Sequence, residues 1–514
     1  MRVVELPIEV LSQSQQVNNP DLRVIIGKLD DLPLLSKFSD SFKGLSSGDL
    51  SRFIHVFWEH SAFSAGWVPY QGGCDTTVTF SGRSQVLLWE DGRGAMVKSP
   101  SCYVKGTKAW RKYGVSINQM HLEATLYSGE MFDENAAVII PANAKHLPAI
   151  WAFVQSMDYQ EAIRDIDEAL KVTNKTLVKV PFDLPHWQKV AAEKYPNGLP
   201  KPHSDDPTQW LFNGHPKGSE QPLQVAVARL LGYRWPRQTG SSFPDCPALD
   251  PDGLEQYADT DGIVCLPPLH REQPAAARLR ALLAAALGPF DERALLAATG
   301  AQKTTLEEWL RDEFFEQHCA LFHQRPFIWH LWDGRKDGFH VLVNYHRLDH
   351  AALQTLTYSY LGDWIRQQEE DAKADQPGAA ERLGAARLLQ TELANILEGE
   401  PPCDLFIRWK PLQEQPLGWR PDLNDGVRLN IRPFLLARDV GKKGAGLLRA
   451  KPNIKWDKDR GREPQRDRTD YPWFWAETEP PTDFPGGKDF TGHRWNNVHY
   501  TLAAKRAARL HGAK

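Results

Sequence analysis

Between about Gly44 and Val180 the apolar residues of this chain come in short runs closed by glycine, proline or Asp-Gly. Val86–Trp89 stops at Asp91-Gly92, and Ala136–Ile140 stops at Pro141. Runs of that length between turn residues predict strands. Pro148–Met157 and Tyr159–Leu170 then place apolar residues at helical spacing, the first opening with proline where a helix tolerates it. Strands followed by helices make 44–180 an α+β unit.

A chain of 514 residues is too long for that unit alone. Residues 1–43 predict a strand-rich lead-in, with Val3–Val10 and Leu22–Ile26 as strands. Residues 181–270, dense in proline, tryptophan and polar groups, predict an irregular connector. Residues 271–400 predict a helical region with a central β-hairpin: helices over Ala275–Leu287, Glu292–Ala298, Leu306–Leu321 and from Ala351 to about Leu397, and strands Phe327–Trp332 and Phe339–Tyr345 around Asp333–Gly338. Residues 401–514 form a Trp/Pro-rich basic region. The predicted fold class is therefore multidomain α+β. The 18 tryptophans favour interfaces and stacking surfaces as well as cores.

Charge narrows the function classes. The net charge of −4 excludes a polybasic nucleic-acid coat, yet Val440–Lys514 holds sixteen Lys or Arg against nine Asp or Glu. Such asymmetry in an acidic chain points to an electrostatic partner surface. No apolar run approaches the roughly 18 residues of a membrane span, Ala281–Leu287 being the best, so no membrane partner is expected. Met1–Val10 carries Glu5 and Glu9 and lacks a signal peptide's apolar stretch. The six cysteines are scattered without a CxxC pair, so a reduced, cytoplasmic protein is expected.

Several patterns carry chemistry. His346 and His350 stand at i, i+4 with Asp349 between them, a spacing that puts two imidazoles on one helical face. Their aromatic-rich surroundings favour hydrogen-bonded core histidines. Gly441–Gly446 follows no clear strand; it reads as a flexible basic loop able to reach a phosphodiester backbone. Basic and aromatic residues also cluster: Arg52 near Trp58, then Trp67 and Tyr70, and a denser group of Lys105, Lys108, Trp110, Arg111, Lys112 and Tyr113. Cations neutralise phosphates, and rings offer planar surfaces to bases.

The segments GLSSGDLSRFIHVFWE, GWVPYQGG, VPFDLPHW, DDPTQWLF, LNDGVRLNIRPF and, most specifically, the block Phe314–Arg347 occur in an order that resembles the C-terminal, target-recognition half of bacterial DNA adenine-N6 methyltransferases. The related groups are the fused type IIG restriction–modification enzymes and the methyltransferases of BREX and DISARM phage defence. The resemblance spans about Leu45 to Asn497. It implies double-stranded DNA as a partner, read by a domain that follows a Rossmann-like methyltransferase domain. That domain's glycine motif for S-adenosylmethionine and its Asn-Pro-Pro-aromatic loop are not visible here. The resemblance thus implies no cofactor in this chain, S-adenosylmethionine in a separate catalytic half, and that half or other defence-system subunits as protein partners.

On this reading 44–180 touches DNA through Arg52, Trp58, Tyr70, Lys105, Lys108, Arg111 and Lys112. The block with Arg325, Arg335, Lys336 and Arg347 docks the helical region or grips the duplex. The tail, with Lys442, Lys443, Arg449, Lys455 and Arg460, closes around the backbone. Residue type does not divide these into base and phosphate contacts. Two alternatives stand: a self-contained DNA-modifying enzyme, methyltransferase or nuclease, with an unrecognised site; or a protein-binding scaffold of a defence complex.

Overall fold

In a computed structural model, the structure describes residues 32–455 and 499–512, apart from positions 62, 242, 270 and 271. The expected strands Val3–Val10 and Leu22–Ile26, and Arg460, lie outside the described residues. Helices and several sheets coexist, and the chain divides into two units, so the fold is multidomain α+β. The first unit comprises Met1–Gly48 and Ala65–Ser204, the second Asp49–Ser64 and Asp205–Lys514.

The first unit is built on a four-stranded antiparallel sheet in the order Ser39–Lys43, Ala136–Pro141, Gly114–Asn118, Ala124–Tyr127. Ala136–Pro141 is apolar throughout because both its faces are covered. Successive side chains alternate between faces: Ala137 and Ile139 join one core with Val115, Ile117, Trp151 and Phe153, while Ala136, Val138 and Ile140 join another with Tyr127 and Phe132.

Helices Leu147–Val154, Met157–Ile166 and Leu184–Lys194 bury Trp151, Phe153, Tyr159, Ile163 and Trp187 in the first of these cores. The break between the first two falls at Ser156, whose hydroxyl accepts from the Tyr159 N–H and starts a new helix. The unit runs past the expected boundary at 180 because Phe182 and Trp187 complete this core. A smaller sheet pairs Trp67–Gln71 antiparallel with Gln85–Leu88 and parallel with Met131–Phe132.

The second unit centres on a three-stranded antiparallel sheet in the order Ile328–Trp332, His340–Asn344, Ile263–Cys265. The expected hairpin is present, and its turn is fastened by the Asp333 carboxylate, which accepts from the N–H groups of Arg335 and Phe339. Aromatic rings pack around it: Trp329 stacks on Tyr345 and meets Trp419 and Phe434 edge-on. Among the described residues seven tryptophans, including Trp58, Trp210, Trp235 and Trp309, are fully buried, so much of the described tryptophan serves cores.

The segment Asp49–Ser64 belongs to this unit through buried and half-buried bonds. Asp49 accepts from Arg408 at 2.7 Å, Glu59 accepts from the Val427 N–H at 2.9 Å, and Trp58 donates to the Arg325 carbonyl at 3.0 Å. Among the described residues no helix is long and apolar enough to cross a membrane.

The second unit buries neutral imidazoles. His318 accepts from the Ile328 N–H through Nε2, which leaves its Nδ1–H to donate to Gln224. Burial lowers His55 and His318 to about 3, and His340 and His346 to about 4. Unfolded histidine titrates near 6.5, so below about pH 6.5 the unfolded chain takes up protons that the folded chain refuses. The stabilisation is complete above that pH and is lost as pH falls toward 4. Calorimetric melting of the second unit is expected to drop by several degrees between pH 7.5 and 5, and His318→Gln to flatten part of that slope. A slope identical in the variant would contradict the buried-neutral assignment.

Candidate nucleic-acid interface

Between Asp91 and Glu123 the chain has six Lys or Arg and no carboxylate residue. The first unit folds this stretch into helix Ala95–Lys98, an extended bridge and a tight loop leading into strand Gly114–Asn118. Tyr103 and Ser46 exchange backbone N–H and carbonyl bonds of 2.9 and 3.0 Å, which fixes where the loop leaves the body. Gly106 follows at φ +76°, and a Cβ there would lie 2.5 Å from the Phe132 ring. Only glycine passes.

The loop closes at Arg111, which holds φ +61°, a left-handed conformation uncommon for a residue with a Cβ. Its N–H donates to the Gly129 carbonyl at 2.8 Å. A Cβ at Gly129 would stand 2.7 Å from the Arg111 Cα, so the close approach requires glycine. Backbone strain held this way is concentrated at ligand-gripping positions in proteins generally.

This frame leaves Lys105, Lys108, Arg111 and Lys112 exposed. Among the described residues none of the four is ion-paired. Tyr103 and Tyr113 are 60% and 55% exposed, unusually open for tyrosine, and Lys105 Nζ lies 6.0 Å from the Tyr103 ring centre. Trp110, in the same loop, meets Trp89 edge to face at 5.5 Å. Unneutralised cations beside open aromatic rings suit a polyanion carrying planar groups.

The other expected contacts are distributed differently. Trp58 and Tyr70 require correction: both are fully buried, Trp58 bonded to the Arg325 carbonyl and Tyr70 to Asp133 Oδ2 at 3.2 Å, so neither ring offers a face to a base. Arg52 belongs to the second unit, its guanidinium lying 5.0 Å over the Phe53 ring. Arg325 is half-buried and donates to the Gln324 carbonyl. Arg347 donates to the carbonyls of Asp259 and Thr260, and Arg335 pairs in a two-pronged fashion with Asp337; both guanidinium groups have internal work.

Lys336, Lys442, Lys443 and Lys455 are exposed. His346 lies in the single turn Tyr345–Arg347 and His350 begins the next helix, so the pair does not share one helical face; His346 Nε2 instead donates to the Trp58 carbonyl.

Sequence reading passed over Lys98, Tyr103 and the part played by Gly129; the absence of carboxylates from residues 92–122 was the signal that could have delimited the surface. It also passed over Gly44-Leu45-Ser46-Ser47-Gly48, which spells the G-x-S-x-G nucleophile pattern. Ser46 lies in the extended bridge to Tyr103, not at a strand-to-helix turn. No protein-family model and no curated protein matches this chain.

Proposed function

We propose that the chain is the DNA-binding specificity part of an adenine-N6 DNA methyltransferase in restriction–modification or phage defence. A separate catalytic half holds S-adenosylmethionine and transfers the methyl group. The observation that carries this reading is the segment 92–122 of the first unit, which has no carboxylate of its own and holds Lys105, Lys108, Arg111 and Lys112, without ion pairs among the described residues, beside two exposed tyrosines. It joins the segment resemblance from Leu45 onward.

The cations position the duplex through its phosphates; sequence is read by groups that reach base edges. The glycine approach that fixes Arg111 makes it the best-placed of the four to serve a defined contact.

Fluorescence anisotropy of a labelled duplex, titrated with this chain at rising salt, tests the reading. Binding is expected to weaken steeply with salt, since each neutralised phosphate releases counterions. Affinity that stays flat refutes a phosphate-driven contact. Tight calorimetric binding of S-adenosylmethionine by this chain alone would instead favour a self-contained enzyme.

A further inference from the structure

The segment Asp439–Gly446 of the second unit is wrapped around an anion, and the anion is its own. Asp439 accepts from the Gly444 N–H at 2.7 Å and from the Gly446 N–H at 3.1 Å. Gly441, Gly444 and Gly446 have φ of 64°, 82° and 66°, left-handed turns that a side chain would oppose. Backbone N–H groups gathered in this way form a concavity that binds anions. The two amides hold the Asp439 carboxyl below the usual carboxylate range, yet the residue is exposed and open to exchange with solutes.

Lysines lie close to the concavity, Lys451 and Lys443 both acting on the Asp439 carboxylate. Lys442 and Lys443 are exposed on the loop itself, and neither has an ion-pair partner among the described residues. The hairpin turn of Arg335 and Lys336 is packed against it, since a Cβ on Gly334 would lie 2.1 Å from the Val440 carbonyl and 3.2 Å from the Lys442 nitrogen. Nearby, Lys303, Arg311, Lys336 and Arg449 crowd the single carboxylate of Asp312 at 3.6, 2.8, 4.0 and 3.2 Å. Asp337, paired with Arg335 at 3.0 Å, together with Asp333, Glu308 and Glu381, offsets part of this charge.

We infer that Asp439 is the resident occupant of a phosphate-binding nest made by the Gly444 and Gly446 amides with Lys442 and Lys443, and that a phosphate group displaces it. Carboxylate and phosphate present the same acceptor oxygens to an N–H pair, and phosphate brings more of them and more charge. Asp439 thereby sets a threshold: a ligand enters only if it outcompetes the carboxylate. The site lies in the second unit, away in sequence from the DNA contact proposed above, and does not depend on it.

The test uses the full chain in two arms: calorimetry with inorganic phosphate, and anisotropy with a short labelled duplex. Asp439→Asn keeps an oxygen to accept from the loop while removing the charge; Asp439→Ala removes both. Each is expected to tighten binding by at least about fivefold in one arm, because a like charge about 4 Å away is costly even in water. A gain with inorganic phosphate identifies a free phosphate group as the ligand; a gain confined to the duplex identifies a phosphodiester. Adding Lys442→Gln and Lys443→Gln to Asp439→Asn is expected to erase the gain.

Binding by Asp439→Asn that equals the unaltered chain in both arms overturns the proposal, leaving Asp439 as a loop fastener. A gain that survives loss of both lysines overturns it as well. The phosphate arm stands whether or not the first unit binds DNA, so failure of that reading and of this one are told apart.

Discussion

Arg83→Met is expected to destabilise the first unit by about 3–5 kcal/mol, enough to consume much of a domain's usual stability. Arg83 and Glu130 are both fully buried. The guanidinium donates to Glu130 at 2.8 Å and to the Leu126 carbonyl at 2.7 Å, and reaches Ser81 and Ser128. Glu130 in turn accepts from the Ser128 N–H at 3.0 Å.

Removing the arginine strands a carboxylate without water and with one remaining backbone donor. Removing both charges, as Arg83→Met with Glu130→Leu, leaves no stranded ion and is expected to recover much of the loss. Urea unfolding of the two variants measures the difference. A single variant within about 0.5 kcal/mol of the unaltered chain, the range of ordinary surface changes, would contradict the assignment.

That ion pair also marks where local sequence stops being informative. Arg83 sits among glycine and serine, as a surface arginine would, and its closest partners, Glu130 and the Leu126 carbonyl, are more than forty residues away. Trp58 and Tyr70 were misjudged for the same reason: an aromatic residue beside a cation reads alike on a surface and in a core, and burial is decided by distant partners such as Arg325. The segment Asp49–Ser64 joins residues beyond 205 through Arg408, Val427 and Arg325, pairings that no window along the chain contains.

What local pattern does encode came through well. Ala136–Ile140 is a strand because its apolar run is covered on both faces, and Asp333–Gly338 is a turn because aspartate and glycine supply its fastening and its left-handed residue. The basic group from Lys105 to Lys112 was legible as charge. Its openness was not, because that depends on Gly106 and Gly129 admitting Phe132 and Arg111 at close range.

The most direct test of the central claim replaces Lys105, Lys108, Arg111 and Lys112 together with glutamine and measures duplex affinity against salt. All four are exposed, so thermal melting is expected to stay close to that of the unaltered chain. If each neutralises one phosphate, the slope of log affinity against log salt becomes shallower by about three to four, with a loss of affinity of at least about a hundredfold at low salt. A folded variant that binds the duplex as tightly as the unaltered chain, with the same salt slope, would show that this surface is not where the protein meets DNA.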